Sequence, residues 1–518
     1  MADSGRFAVA LSEAVAVGDW RYYFYQRDRI AKATLADVQR VAKTYFKAQN
    51  RTLGRFIPTE KPDRADMPAK PDLATLLTDY KGDASMAEGE VFEPTPLILE
   101  QRVERYTLAN GMKVALLNKR TRGNTVQMAL RIGYGDAKSL AGKNAIDELA
   151  SALMMRGARA MSRQQIRDRM DALRASGSFG MGGGAFQTKR QYASDVLQLV
   201  AQVYSSATFP ADELEVVRKE FITMLEESAN DPDSLAQIAM ERHFSHYPMG
   251  DWRYVPTIKE HIAMIKAVTR EQIIRYAASM RGLNDAEIAI VGDFDVPTVK
   301  AALSTSFAAS KRATPYVRVN RDYKPVAVKR ETLAAPDKEN ASYVTRVTFP
   351  LTDNSSDYPA LMLADFIVGG SAGARLFQRV REKEGLSYDV YSSLSVPTFS
   401  SNATWTFGFI ANPQNSAKAE ASLRDELQKL RGGALTDDEF AAQRQSLLDQ
   451  RMVRRSQDTM LAMQLVTQAD TNRSFKTVEA IEAKIRTLSK ADFDAVLNKY
   501  VNLQDASSFI AGDFSKLK

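Results

Sequence analysis

Cysteine does not occur anywhere in the 518 residues. Its absence excludes disulfides and thiolate metal sites together, so any zinc would have to be held by His, Asp or Glu. Histidine is nearly missing as well, with only His243, His246 and His261. No run of about 18 or more apolar residues occurs, so no membrane-spanning helix is expected. Met1 to Trp20 lacks a basic stretch followed by an apolar run, the pattern of a secretory signal. A periplasmic or a cytoplasmic setting therefore depends on a region preceding Met1. Nor is there a large surplus of one charge: 70 basic residues face 63 acidic ones, a net charge of +7. That excess is too thin for a nucleic-acid-binding face. The basic residues Lys311, Arg312, Arg318, Arg321, Lys324, Lys329 and Arg330 read as a solvated linker in preference to a polyanion site.

What is present is ordinary globular composition, 44% hydrophobic and 26% charged. The chain is too long for one core, because single cores stop growing at roughly 250 to 300 residues. One pattern recurs three times: a Thr or Ser start, an amphipathic helix, then a short β-rich segment. The starts are Thr34, Thr269 and Ser489, each followed three residues later by Asp37, Gln272 or Asp492, a spacing that predicts a capped helix. The last two copies keep register, since Thr269 and Ser489 are 220 residues apart and so are Gly292 and Gly512. This self-similarity predicts a duplicated domain of about 200 residues, with the first copy the tail of a third. Asn110-Gly111 between two apolar runs predicts a hairpin, and Thr125 to Gly133 a strand. Helical spacing covers Asn144 to Met155, Arg163 to Ala175, Tyr192 to Ser205 and Ala211 to Ser228, and again Tyr358 to Val368 and Gly373 to Glu384. Runs of strands followed by runs of helices make each domain α+β, an antiparallel-rich sheet packed by helices.

Four segments carry a family resemblance: Leu108-Ala-Asn-Gly-Met-Lys-Val114, His246-Tyr-Pro-Met-Gly250, Val291-Gly-Asp-Phe294, and Gly370-Ser-Ala-Gly-Ala-Arg-Leu-Phe-Gln-Arg-Val-Arg-Glu-Lys-Glu-Gly-Leu-Ser-Tyr388. With them the chain resembles the pitrilysin/insulinase family of zinc metallopeptidases over nearly its whole length. The resemblance implies a remnant of a preceding homologous domain at residues 1–58, a linker at 59–100, a degenerate peptidase-like domain at 101–307, a linker at 308–336 and a C-terminal family domain at 337–518. Family members bind zinc with H-x-x-E-H on a helix, where two His share a face and Glu activates water. Here the apolar-apolar-basic-Gly segment that follows the motif is Leu153-Met-Met-Arg-Gly157. Counting back from it, the His positions fall on Glu148 and Ala152 and the base position on Ser151. The third ligand, set eight residues before Pro232, falls on Met224, with Glu226 and Glu227 nearby. The implied domain is a degenerate copy that holds no metal. A metal pair of His243 and His246 is weighed against a structural role for both, and the structural role is preferred because His246 lies in the family's His-Pro-Tyr-Gly-like turn.

The resemblance also implies a surviving function. In the fourth domain of active relatives an Arg and a Tyr seven residues apart hold substrate, and Arg381 and Tyr388 match that spacing. A guanidinium and a phenol suit the task, since peptide hydrolysis builds negative charge on the carbonyl oxygen and both groups donate hydrogen bonds. The competing reading is an Arg381 lying along its helix beside Glu382 or Glu384 and a half-buried Tyr388. Gly182-Gly-Gly184 and Gly369-Gly370 lack the context of a nucleotide loop and read as close backbone approaches. We therefore expect the substrate-binding, non-zinc half of a metalloendopeptidase, inactive alone. It would be completed by an H-x-x-E-H-bearing half that holds the zinc, either upstream in the same polypeptide or as a separate subunit, and would act on unfolded peptides. The alternative is a non-catalytic assembly or peptide-binding subunit. Met1 falls inside a repeat unit, which reads as a truncated or split unit.

Overall fold

Each of the three expected helix starts is capped. The Thr34 oxygen accepts from the Asp37 backbone N–H while the Asp37 carboxylate accepts from the Thr34 N–H. Thr269 and Gln272 make the same reciprocal pair, and Ser489 accepts from the Asp492 N–H. Two of these helices then bury their apolar stripe: Arg270–Met280 buries Ile273, Tyr276, Ala277 and Met280, and Lys490–Tyr500 buries Phe493 and Leu497. The third, Leu35–Tyr45, buries none of its residues.

The computed structural model describes residues 4–52, 54, 73–78, 80, 89–312, 314–371 and 373–515, in two compact units, Met1–Gly89 and Glu90–Lys518. The first unit contains the helices Ser4–Val17, Arg21–Ala31, Leu35–Tyr45 and Leu73–Leu77. Within it the Tyr80 hydroxyl donates to Asp28 at 2.5 Å, and Phe7, Tyr23, Phe24 and Trp20 meet edge to face. Most of the segment expected to link residues 59 to 100 lies outside the described residues. At its end Pro96–Arg102 is a helix, started by the Thr95 side chain and anchored by the fully buried Leu99.

The second unit holds two sheets. The first comprises β1 (Glu104–Thr107), β2 (Lys113–Asn118), β3 (Thr125–Ile132), β6 (Ser176–Gly180), β7 (Gly183–Lys189) and β8 (Ala286–Gly292), while β4 (Gly157–Ala158) and β5 (Met161–Ser162) form a separate small hairpin. Its order is β1-β2-β8-β3-β7-β6, antiparallel except for β2 with β8. The second sheet comprises β9 (Arg330–Ala334), β10 (Ala341–Phe349), β11 (Asp389–Ser395), β12 (Ala403–Ala411) and β13 (Ser507–Gly512) in the order β11-β12-β10-β13-β9, with only β9 and β13 parallel. Taken from the parallel end, β9-β13-β10-β12-β11 repeats the order and sense of β2-β8-β3-β7-β6. The fold is α+β with antiparallel-rich sheets, as expected. Gly183 and Gly184 show the close approach read from their sequence: an added Cβ would stand 2.0 Å from the Leu130 and Ser178 carbonyl oxygens respectively.

The two sheets are joined by an exchange of helices. Helix Pro232–Phe244 follows β7 in the chain but packs on β10 and β13, burying Ala236 and Met240 against Val344, Phe509 and Ala511. Helix Asp458–Asp470 follows β12 but packs on β2, β3 and β8, burying Leu461, Ala462, Leu465 and Val466 against Ala115, Leu117, Ala129, Ala289 and Val291. Polar bonds fix both: Asp233 accepts from the Ser342 hydroxyl at 2.7 Å, and Asp458 and Asp470 pair with Lys119 and Arg131, each at 2.6 Å. One expectation is corrected here, because the basic segment is not wholly solvated. Burial of Arg312 is compensated by hydrogen bonds to the Gly133 carbonyl and to Asp285. Arg318 pairs with Asp470 and stacks on Phe399.

Candidate functional site

The helix that would carry the zinc motif, Asn144–Leu153, is held in the core by Leu149, Ala150 and Leu153. Its three motif positions do other work. Glu148 lies 2.7 Å from His261 Nε2, forming an ion pair when that ring is protonated. Ser151 Oγ accepts from the Met181 N–H at 3.2 Å, and a Cβ on Gly180 would come within 2.9 Å of its Cβ, so β6 lies directly against this helix. Ala152 has no donor atom on its side chain. Met224 is exposed on helix Ala211–Ser228, and Glu226 and Glu227 beside it also face solvent. A carboxylate already beside an imidazole, a hydroxyl, a methyl and an exposed thioether do not fit zinc, which takes tetrahedral N, O or S⁻ ligands. Among the described residues no cluster of three or more His, Asp or Glu could hold a metal.

His243 and His246 do not share a helix face, because helix Pro232–Phe244 ends before His246. His243 Nε2 is 2.9 Å from Ser507 Oγ, and its ring packs on Phe244 and Phe509. Burial, with Lys329 nearby, holds its pKa below the ordinary value. His246 stacks on Tyr247, and burial followed by the charges of Lys324 and Arg253 depresses its pKa too.

Arg381 and Tyr388 are brought together. Arg381 lies in a π-helical turn, Phe377–Lys383, pinned by the fully buried Leu376 and Val380. The turn ends at Gly385, whose φ of +59° is left-handed, with the Leu386 N–H bonded to the Val380 carbonyl at 2.9 Å. Leu386 and Val390 then plug the core on either side of Ser387, whose hydroxyl reaches the Asp389 and Ile410 carbonyls. The outcome is a sandwich in which the Arg381 guanidinium sits 4.6 Å from the Phe377 ring centroid and 4.8 Å from that of Tyr388. Among the described residues its one ionic neighbour is Glu382, whose oxygen lies 3.5 Å from Nε, and Glu384 instead pairs with Arg379. Among the described residues the Nη groups of Arg381 make no hydrogen bond. Tyr388 is 81% exposed, not half-buried, and β11 begins one residue after it, at an edge of its sheet. Cation–π stacking fixes the plane of a guanidinium while leaving its N–H edge open to a ligand.

Two features of these sites were missed by sequence reasoning. Phe377, the second wall of the sandwich, was detectable, because a residue four before Arg381 on a helix is its neighbour. Asp147 was not. It accepts from Tyr134 at 2.7 Å and Tyr276 at 2.9 Å, two tyrosines from distant parts of the chain, and burial pushes its carboxyl pKa up despite those bonds.

Comparison with known proteins agrees with this picture. Residues 267–447 match the profile of the peptidase M16 inactive domain. A Helicobacter pylori protein described as the non-peptidase homolog YmxG is 22% identical over 46% of this chain and 54% of its own. The chain thus spans about half the length of that curated relative. Among solved structures, a peptidase M16 inactive domain from Pseudomonas fluorescens superposes with a TM-score of 0.69 at 19% identity, covering 79% of this chain and 98% of that one. The periplasmic protease PqqL of Escherichia coli superposes with a TM-score of 0.63 at 14% identity, covering 93% of this chain and 51% of that one. Over residues 267–447 the chain is thus similar to the inactive domain of the M16 peptidases, the pitrilysin/insulinase family.

Proposed function

We propose that this chain is the substrate-holding, non-zinc half of an M16-type endopeptidase, and that Arg381 and Tyr388 bind the peptide and stabilise the charge that forms during its cleavage. The observation that carries the reading is the sandwich of Arg381 between Phe377 and Tyr388, with its Nη groups making no hydrogen bond among the described residues. Leaving these donors open has no evident structural use. A carbonyl oxygen of a bound peptide would accept from the guanidinium and from the Tyr388 hydroxyl, and both bonds strengthen as negative charge builds on that oxygen. The free edge of β11 next to Tyr388 suits an extended peptide added as a further strand, a mode that reads backbone more than side chains and favours unfolded substrates.

The zinc and its activated water belong to an H-x-x-E-H-bearing half. Two things support such a partner. Coverage of about half of the PqqL chain leaves room for a second half of similar size. The helix Leu35–Tyr45 carries the same stripe that Arg270–Met280 buries, yet Leu35, Val38 and Tyr45 are exposed. On this reading residues 1–58 are the tail of a preceding homologous domain and the matching strand orders at 101–307 and 337–518 reflect duplication. The rival reading, a non-catalytic peptide-binding or assembly protein, is favoured by the description of the Helicobacter relative as a non-peptidase.

The test is peptide hydrolysis by the assembled enzyme. Arg381→Ala should lower kcat/KM by roughly 100-fold, the loss of about 3 kcal/mol of transition-state stabilisation. Tyr388→Phe should lower it less, and both variants should melt like the parent chain. An unchanged rate in Arg381→Ala would remove the assignment.

A further inference from the structure

Three strands of the second sheet turn one polar face into a cavity of about 680 Å³. Side chains alternate across a strand, and here Val347 and Trp405 are buried on the opposite face. The residues on either side of them line the cavity, and the strand register sets these in two rows. Ser393 of β11 lies opposite Thr406 of β12, which lies opposite Arg346 of β10, and Ser395, Thr404 and Thr348 form the next row. Neighbouring strands stand about 4.8 Å apart. Hydroxyls and one guanidinium therefore share a single patch of wall.

The patch reaches the edge of the sheet. Tyr391, two residues before Ser393 on the same face, accepts from Gln237 of helix Pro232–Phe244 at 2.8 Å, and that helix ends at the cavity, with Phe244 and Ser245 in its wall. Beyond Tyr391 the face opens, and Ser393 and Ser395 are exposed. The inner charges of the wall are paired. Arg346 donates from Nε to Thr406 and pairs with Glu241, each at 2.8 Å, and Arg318 pairs with Asp470. Arg321, Asp322 and Lys324, of mixed sign, are exposed. The hydroxyls of Ser393, Ser395, Thr404 and Thr348 make no hydrogen bond among the described residues.

We propose that this cavity is a side-chain subsite for a peptide paired with β11, and that it selects the neutral carboxamides of glutamine and asparagine. The inference rests on the reading of β11 as the strand to which substrate adds. A peptide strand there places every second side chain on the Ser393 and Ser395 face, with Cβ atoms about 4.5 to 5.5 Å from theirs. A hydroxyl donates or accepts as its ligand requires, and a carboxamide does both. A large apolar side chain would displace water from these hydroxyls and return no hydrogen bond. A glutamate would face the carboxylates of Glu241 and Asp470, whose arginine partners are already engaged. The substrate class is thus an extended segment with glutamine or asparagine at alternate positions.

The test is fluorescence anisotropy on the full chain with three labelled nonapeptides, in which glutamine, leucine or glutamate alternates with alanine between terminal lysines. The glutamine peptide should bind saturably, at least about fivefold tighter than the other two. The double variant Ser393→Ala with Ser395→Ala changes only exposed positions and should bring the glutamine and leucine peptides to within about twofold of each other. Arg381→Ala should weaken all three peptides and keep their order. Equal binding of the glutamine peptide and either of the others, or a preference unaltered in the double variant, would overturn the subsite and leave the peptidase reading standing. A preserved preference with Arg381→Ala indifferent would support the subsite and remove Arg381 from substrate binding. Binding of none of the peptides would overturn the subsite together with β11 as the strand that takes substrate. Should the double variant fail to fold, the order on the parent chain decides alone.

Discussion

A guanidinium held between two rings has lost little of its capacity to donate, because the rings engage its faces and not its N–H edge. On the proposed reading this leaves the N–H edge of Arg381 available to a ligand, unlike the better-paired Arg375 and Arg379, whose donors are spent on Glu426, Glu439, Asp425 and Glu384. The same scale yields a pH prediction at Asp147. Burial raises its folded-state pKa, so over the interval between the unfolded and folded values the native state holds a proton that the unfolded chain has released. Stability from this group is therefore greatest below the unfolded value, falls as pH rises through that interval, and is flat above it. Asp147→Asn keeps an oxygen for Tyr134 and Tyr276 and removes the ionisation. It should raise the melting temperature at pH 8 relative to the parent and lose that advantage near pH 4. An equal effect at both pH values would contradict the burial argument. Arg381 and Tyr388 were legible in the sequence because their spacing is local. The Glu148–His261 and Asp147–Tyr276 contacts were not, because their partners lie over a hundred residues away and no periodicity announces them.

Elements decide where these side chains point. The π-helical turn Phe377–Lys383 carries Arg381 and ends at Gly385, where the chain turns left-handed before starting β11. A non-glycine residue in that conformation costs about 1 to 2 kcal/mol, and no atom crowds the Gly385 Cβ position. Gly385→Ala should therefore destabilise the protein by about 1 kcal/mol through backbone strain alone, and Gly385→Asn by less. Urea unfolding of the two variants checks this, and equal costs would argue against a conformational cause. Helix existence, caps and strand alternation were readable because they follow local period and side-chain chemistry. The wider turn was not, since a single extra residue in a helix leaves the apolar pattern nearly intact. The helix Pro96–Arg102 inside an expected linker is a similar case, since a single buried leucine leaves too little pattern to read.

At the scale of the molecule, the exchange of helices ties residues 90–518 into one compact unit, which is expected to unfold as one cooperative body. Sequence reading recovered the α+β class and the two runs of strands, but not that each sheet is covered by a helix following strands of the other, because apolar stripes do not say which surface they meet. Leu465 is 1% exposed in the cluster between helix Asp458–Asp470 and β2, β3 and β8. Leu465→Ala should cost about 2 to 5 kcal/mol. Hydrogen exchange should also speed up in β3 and β8, far away in sequence; protection lost only in the helix itself would contradict cooperative joining. The most direct test of the central claim is hydrolysis of an unstructured fluorogenic peptide by the chain alone with added zinc, by an H-x-x-E-H-bearing half alone, and by the two together. The account predicts activity only in the combination, reduced about 100-fold by Arg381→Ala. Hydrolysis by this chain alone with zinc, or a combination indifferent to Arg381, would contradict it.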